Sequence, residues 1–195
     1  MKSLSKLANR PSVEDIIIFI ADSLRFDHLS NQLRNEGISA ETIAPSTATA
    51  SSIPSLMSGT YPATHKVWGF GDALPQTPPL VSGTNRGLTT QHIWESSEPE
   101  QRPPLRSLRL QEKTGLEDVE SPFTVVIHDR GAHGPYDYLN GEMDSSDEFF
   151  ELYSGDKEKL RELYQSGAED VQERFLELLN ETDIDDTLVI FTSDH

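Results

Sequence analysis

The chain has 195 residues, enough to bury one sizeable core, so we expect a single domain or one large piece of a bigger one. It carries 33 acidic against 16 basic residues, for a formal net charge of -17. This balance argues against nucleic acid and against a membrane surface as partners. Acidity spread over the whole chain is typical of adaptation to concentrated salt, and an ordinary acidic surface is the alternative interpretation.

The sequence contains no cysteine, which excludes disulfides and thiolate metal sites. Its first fifteen residues lack a long apolar core, and the apolar run at residues 16–21 is far too short to span a bilayer. We therefore expect a soluble protein of the cytoplasm.

Three apolar, β-branched runs predict strands, at residues 16–21, 123–127 and 187–192. The runs are continuous rather than alternating, which is typical of strands buried on both faces of a parallel sheet. A weaker strand is predicted near residues 88–94. With helical segments between the strands, the pattern predicts an α/β fold with a mostly parallel sheet flanked by helices.

The clearest predicted helix covers residues 157–180, where apolar residues recur at helical spacing. Shorter helices are predicted after Asp22 and from about Thr49 to Gly59, where glycine suits a helix C-terminus. Residues 71–122 are rich in Pro, Ser, Thr and Gln and are predicted to be rich in loops. Because no interdomain linker is visible, we expect one α/β domain over residues 1–195.

Polar residues with metal-binding side chains follow each strong strand: Asp22 the first, His128 and Asp129 the second, Asp194 and His195 the third. The carboxyl ends of parallel strands form the ligand crevice of open α/β sheets, so we expect these side chains to converge. Carboxylate and imidazole groups suit a divalent ion such as Zn²⁺, Mn²⁺ or Ca²⁺, and the ligand types alone do not choose among them. For any single Asp, a helix cap or a turn is the competing interpretation.

A Ser/Thr-rich segment at residues 44–59 lies between the first two strong strands. A hydroxyl at the start of a helix lies where backbone N–H groups and the helix dipole favour a phosphate or sulfate. If a metal ion lowers its pKa, such a hydroxyl becomes a nucleophile. The competing interpretation is a simple helix cap.

Four segments resemble motifs of the sulfatase/alkaline phosphatase superfamily, in the order in which that family carries them. Residues 18–30 resemble its opening motif, residues 49–67 its nucleophile segment, residues 123–136 its central histidine motif, and residues 186–195 its later Asp-His motif. The resemblance implies an alkaline-phosphatase-like core. It also implies a metal-dependent hydrolase of sulfuric or phosphoric esters, with a small anionic ester as its substrate.

The resemblance assigns roles to individual residues. Asp22, Thr49, Asp194 and His195 would surround one divalent ion, with Thr49 as the nucleophile. An alternative register nominates Ser52, but the register through Thr49 preserves the distance to the later elements of the motif.

Asp129 and His133 have the spacing of a second metal-binding pair in the phosphodiesterase-like branch of the family. In the sulfatase branch, the residue matching His133 instead contacts the transferred or leaving group. His133 is thus a catalytic candidate in either case, and Asp129 is a candidate metal ligand.

The nucleophile segment departs from the sulfatase pattern, with Thr49, Ser51 and Ile53 where that pattern has Cys or Ser, Pro and Arg. These departures argue against conversion to formylglycine. The resemblance then favours direct attack by the threonine hydroxyl, with either phosphate or sulfate esters as substrates.

In the family a further ligand-bearing segment follows the Asp-His pair, whereas this sequence ends at His195. We therefore expect a C-terminally incomplete domain. The alternative to a hydrolase is a non-catalytic remnant or binding module of the same fold. Neither the alcohol part of the substrate nor the oligomeric state is predicted.

Overall fold

A computed structural model describes residues 13–82, 86–91, 103–110, 112–113, 116, 119–136, 146–182 and 186–195. A five-stranded sheet lies at its centre, in the order β3-β2-β4-β1-β5, and all four strand pairings are parallel. The predicted α/β fold with a parallel sheet is therefore confirmed. The strands are β1 (Asp15–Ala21), β2 (Arg86–Gln91), β3 (Glu112–Lys113), β4 (Thr124–Asp129) and β5 (Thr187–Thr192).

The continuous apolar runs form the strands at and beside the centre of the sheet. All six residues of β4 are buried, as are the last five of β1. In the register of the sheet, Ile17 lies between Val125 of β4 and Val189 of β5. This arrangement brings the carboxyl ends of the three strands to the same edge.

Six helices surround the sheet in the described part of the chain, together with 3₁₀ turns at Phe26–His28 and Pro79–Val81. The long helix predicted at residues 157–180 is confirmed within one residue. The helix predicted to follow Asp22 is instead a 3₁₀ turn and a separate short helix. The helices are α1 (Asn31–Glu36), α2 (Thr49–Ser58), α3 (Pro62–His65), α4 (Pro103–Leu108), α5 (Ser146–Leu152) and α6 (Lys157–Glu181).

The two faces of the sheet have separate cores. On one face Phe19 packs against Phe175 of α6 and Phe191 of β5, with ring centroids 5.3 and 5.6 Å apart. On the other face Ile18 and Ile20 belong to a buried cluster with Ile53 of α2. The sheet therefore lies between α6 and α2. Both helices begin at the edge of the sheet where β1, β4 and β5 end.

Glycine allows α6 to pack closely against the loop that follows β4. A Cβ atom on Gly167 of α6 would collide with the main-chain carbonyl of Gly131. A Cβ atom on Gly131 would in turn collide with the guanidinium group of Arg174. Because both positions are glycine, α6 can pack close beside the loop that carries His133.

Residues 71–122, which the sequence predicts to be rich in loops, are described in part. The described part contains β2, β3, α4 and a 3₁₀ turn. The predicted strand at 88–94 overlaps β2, and residues 92–94 lie outside the described ranges. Across the ranges that the structure describes, no helix is long and apolar enough to cross a membrane.

Candidate functional site

The predicted convergence of strand ends is present in the structure. Asp22 follows β1 directly, and Asp194 and His195 follow β5. One ligand atom from each of these three residues lies within 4.8 Å of the others. The parallel register explains why Asp22, Asp194 and His195 lie close together, because β1 and β5 are adjacent and end at the same edge.

Four oxygen atoms surround Nε2 of His195. The Oγ of Ser23 lies at 3.3 Å, the Oγ1 of Thr49 at 3.4 Å, and the Oδ1 of Asp22 at 3.5 Å. The Oδ2 of Asp194 lies at 3.8 Å. Ligands bound about 2.1 Å from one ion stand roughly 3.0–3.4 Å apart, so this spacing is close to that of a coordination shell.

A buried oxygen without a partner also fits a cation. Among the described residues, the Oδ2 of Asp194 is fully buried and accepts no hydrogen bond. Its Oδ1 accepts from the backbone N–H groups of Ser23 and His195. An orphan carboxylate oxygen is costly unless a ligand satisfies it, so the residues present fit a divalent ion.

The two buried carboxylates of the site have opposite pKa shifts. Burial and the nearby charge of Asp22 raise the pKa of Asp194. Burial opposes the ionisation of Asp22 too, but the hydrogen bond and charge of His128 outweigh it. The pKa of Asp22 therefore lies well below its usual range, and this carboxylate stays ionised.

His128 contacts the site from β4 and is not one of the clustered candidate ligands. It is buried within β4, and its Nε2 lies 3.1 Å from the Oδ2 of Asp22. A histidine that donates to a ligating carboxylate fixes the orientation of that carboxylate.

The hydroxyl of Thr49 reaches the cluster from the start of α2. Thr49 is the first residue of α2, whose N-cap residue, Ala48, has no side chain that can cap the helix. Its Oγ1 lies 3.5 and 3.4 Å from the two oxygens of Asp22. Ser52, the alternative candidate, is fully buried and donates to the main-chain carbonyl of Asp194. The structure thus places Thr49 in the cluster and gives Ser52 a supporting contact.

His133 borders the site on the loop after β4. Its Nδ1 lies 2.6 Å from the carbonyl oxygen of Gly134 and 2.9 Å from the guanidinium group of Arg130. Burial lowers the pKa of His133 despite the opposing charge of Asp22. The ring is consequently neutral near pH 7, which suits a general base.

The side chain of Asp129 lies outside the cluster of Asp22, Asp194 and His195. Both of its oxygens accept from Arg174 of α6, and Oδ1 also accepts from the backbone N–H of Gly131. The metal-binding role assigned to Asp129 stays a prediction, and its observed contacts hold α6 against β4.

Ser23 is a site residue that the sequence analysis did not nominate. It adopts a left-handed backbone conformation with φ of 64°, which is unusual for a residue other than glycine. This turn directs its N–H to Asp194 and its hydroxyl to Asp22. Residues with such strained backbone conformations are concentrated at functional sites. In the sequence, the position of Ser23 next to Asp22 was the signal that could have identified it.

Fold and site together define an α/β protein with two carboxylates, an imidazole and a helix-start hydroxyl at the carboxyl edge of a parallel sheet. The chain is similar to the low-salt glycan biosynthesis sulfotransferase Agl7 of Haloferax volcanii, with 42% identity over 199 residues. The match covers 98% of this chain and 49% of that relative, so the chain spans about half of the relative's length. No protein family profile and no solved structure matches the chain.

This similarity corrects the family and function inferred from the motifs. The relative is named a sulfotransferase, which transfers sulfate, whereas the motifs implied a sulfatase or phosphatase that hydrolyses esters. The assignment to the sulfatase/alkaline phosphatase superfamily, the hydrolase activity and the alternative of a non-catalytic remnant are therefore not retained. The alkaline-phosphatase-like core is likewise not confirmed. Hydrolysis and transfer can both begin with binding of a sulfate ester, and they differ in whether water or another hydroxyl receives the group.

Proposed function

We propose that this chain is part of a sulfotransferase that moves a sulfuryl group onto a hydroxyl of a glycan during its biosynthesis. The name of the relative supports the reaction class. The observation that carries the proposal is the hydroxyl of Thr49 at the start of α2, within 3.5 Å of Asp22 and His195. Backbone N–H groups and the helix dipole favour an anionic sulfuryl group at this position.

Asp22, Asp194 and His195, with the hydroxyl of Thr49, are the residues that would hold a divalent ion. Such an ion would neutralise the oxygens of the sulfuryl group and increase the acidity of the hydroxyl. The fit rests on the donor set and on the unsatisfied Oδ2 of Asp194. Carboxylate and imidazole donors are compatible with Zn²⁺ or Mn²⁺.

In the first step, the Oγ1 of Thr49 forms a bond to sulfur of an anionic donor ester. The bond from sulfur to the donor oxygen breaks, and its electron pair stays with that oxygen. The proton of Thr49 passes through solvent to the leaving oxygen. The products are the donor alcohol and a sulfated Thr49, which is the covalent form of catalysis.

In the second step, a sugar hydroxyl forms a bond to the same sulfur. The bond between sulfur and the Oγ1 of Thr49 breaks, and its electron pair returns to Thr49. His133, neutral because burial lowers its pKa, takes the proton of the sugar hydroxyl and passes it to Thr49. The net reaction transfers one sulfuryl group and leaves the protein unchanged.

The test is a transfer assay with the complete protein, p-nitrophenyl sulfate as donor and methyl α-D-glucopyranoside or methyl α-D-mannopyranoside as acceptor. We expect a sulfated sugar detectable by mass spectrometry, and a sulfated peptide containing Thr49 when the acceptor is omitted. Thr49→Ala is expected to lower the rate on the order of a thousandfold or more.

Thr60→Ala is the matched control, because Thr60 lies beyond the opposite end of α2 and contacts Ser58. It should leave the rate unchanged. Release of free sulfate without any sulfated sugar would overturn the transfer reaction. Full activity of Thr49→Ala would overturn the role of Thr49.

A further inference from the structure

A cleft of about 920 Å³ opens beside the site. The role that we infer for this cleft rests on the proposed sulfuryl transfer. Its volume lies within the range of ligand clefts and exceeds the needs of a sulfuryl group alone. The loops after β1 and β4 form one wall, and α5 and the first turns of α6 form the other. Residues of these walls include Ser23, His133, Tyr136, Phe150, Arg161 and Gln165.

The cleft leads directly to the candidate site. Ser23 lines it and donates to the Oδ1 of Asp22 at 2.9 Å. His133 lines it as well, and its pKa responds to the charges of Asp22 and His195. A molecule in the cleft would therefore reach the position where the proposed transfer takes place.

An aromatic ring is exposed in the cleft next to His133. Phe150 is 43% exposed, although it lies at the end of an otherwise packed aromatic group with Tyr136 and Phe149. Its ring rests on Gly134, where an added Cβ atom would lie 2.7 Å from the ring. The absence of a side chain at Gly134 thus lets an aromatic surface approach the residue adjacent to His133. Such a surface suits the apolar face of a sugar ring.

Hydrogen-bonding groups also line the cleft, on one face of α6. Arg161, Gln165 and Glu158 line the cleft, three or four residues apart as neighbours on a helix surface are. Within the part of the chain that the structure describes, Arg161 has no ion-pair partner, whereas Arg25 is paired with Asp27 at 2.6 Å. An unpaired guanidinium in a protein of net charge -17 is available to donate to ligand oxygens.

We propose that this cleft is the acceptor subsite and binds a pyranose ring of the glycan. The ring stacks on Phe150, and Arg161 donates hydrogen bonds to its hydroxyl oxygens. The sugar hydroxyl that faces His133 is the one that receives the sulfuryl group.

The test measures sugar binding separately from transfer. Saturation-transfer NMR on the complete protein uses methyl α-D-mannopyranoside and methyl α-D-glucopyranoside, with the acyclic polyol sorbitol as a control ligand. Binding of at least one glycoside is expected, and Phe150→Ala and Arg161→Gln should each weaken it about tenfold. Leu152→Ala and Lys157→Gln are matched controls on α5 and α6, because neither residue lines the cleft, and both should bind normally.

Different results separate this inference from the proposed reaction. Glycoside binding that is lost in Phe150→Ala but not in Leu152→Ala supports the subsite even when no sulfated sugar forms. Thr49→Ala should abolish transfer and retain glycoside binding. Transfer whose KM for the glycoside is the same in the wild type, Phe150→Ala and Arg161→Gln would overturn the acceptor subsite and leave the reaction intact.

Discussion

Arg174 donates two hydrogen bonds to Asp129, from Nε to Oδ2 at 2.7 Å and from Nη2 to Oδ1 at 2.8 Å. The carboxylate is almost completely buried at the end of β4, and the guanidinium group extends from α6. The pair therefore connects the helix to the strand just before the loop that carries His133. A two-point contact of this geometry also gives Asp129 a charge partner without any metal ion.

Replacement of Arg174 by Met is expected to lower the free energy of unfolding by about 3–5 kcal/mol, because it leaves the buried charge of Asp129 without compensation. Urea denaturation followed by circular dichroism measures the change. The double variant Asp129→Leu, Arg174→Met should regain most of the loss. A single variant as stable as the wild type would show that the pair does not hold α6.

Asp129 and Asp194 should contribute differently to the binding of a divalent ion. Isothermal titration of Mn²⁺ or Zn²⁺ into the metal-free protein is expected to show binding that Asp194→Asn removes, because Asp194 contributes a buried, unsatisfied oxygen. Asp129→Asn should retain the affinity of the wild type, since Arg174 occupies both oxygens of Asp129. Loss of binding in Asp129→Asn would instead support the metal-binding role predicted from the sequence.

Ion binding should also stabilise the fold. A ligand that binds only the native state at one hundred times its dissociation constant adds about 2.7 kcal/mol to the free energy of unfolding. We expect the melting temperature to rise on addition of the ion and to fall after EDTA treatment. In Asp194→Asn the melting temperature should change neither on addition of the ion nor after EDTA treatment.

The strand ends show which parts of the site could be predicted. Parallel strands place their carboxyl ends at one edge, so the proximity of Asp22, Asp194 and His195 followed from the pattern of apolar runs. Arg174 could not be assigned to Asp129 in the same way, because the two residues are 45 positions apart and meet through packing of α6. Ser23 was missed because its role depends on a left-handed turn.

The reaction class could not be obtained from these residues. Asp22, Thr49, Asp194 and His195 lie around the position that we propose for the sulfuryl group, and hydrolysis and transfer would share that position. What distinguishes the two reactions is the molecule that attacks sulfur, which in our proposal binds in the cleft beside His133. One wall of this cleft comes from α5 and α6, which carried no motif in the sequence. Of these helices α6 was predicted, and α5 was not.

The close contact between α6 and the loop after β4 gives a prediction about glycine. Gly167→Ala should destabilise the protein by about 1–3 kcal/mol, because the new methyl group meets the main-chain carbonyl of Gly131 and one of the two segments must move. The helical preference of alanine offsets only part of this cost. Gly155→Ala is the control, because nothing lies within 4 Å of its added Cβ atom. Equal thermal stability of the two variants would contradict the close packing.

His65 is a buried histidine whose hydrogen bonds require the neutral ring. Its Nδ1 accepts from the backbone N–H of Val67 at 3.0 Å, so Nε2 carries the proton and donates to the Oγ of Ser55 at 2.9 Å. Ser55 in turn donates to the carbonyl oxygen of Ser51, within α2. These contacts connect α3 to the helix that begins with Thr49.

Burial lowers the pKa of His65 below its usual value of 6.5, which predicts a pH dependence of stability. Between the lowered native pKa and 6.5, the unfolded chain binds a proton that the native chain does not, so the free energy of unfolding falls as the pH falls through this window. Above pH 7 both states are neutral at His65 and its contribution is complete. We expect urea denaturation between pH 5 and pH 7.5 to show a smaller pH slope for His65→Gln than for the wild type, because the glutamine does not titrate. Identical slopes would mean that His65 accepts a proton in the native state, and that its contact with Val67 does not constrain the ring.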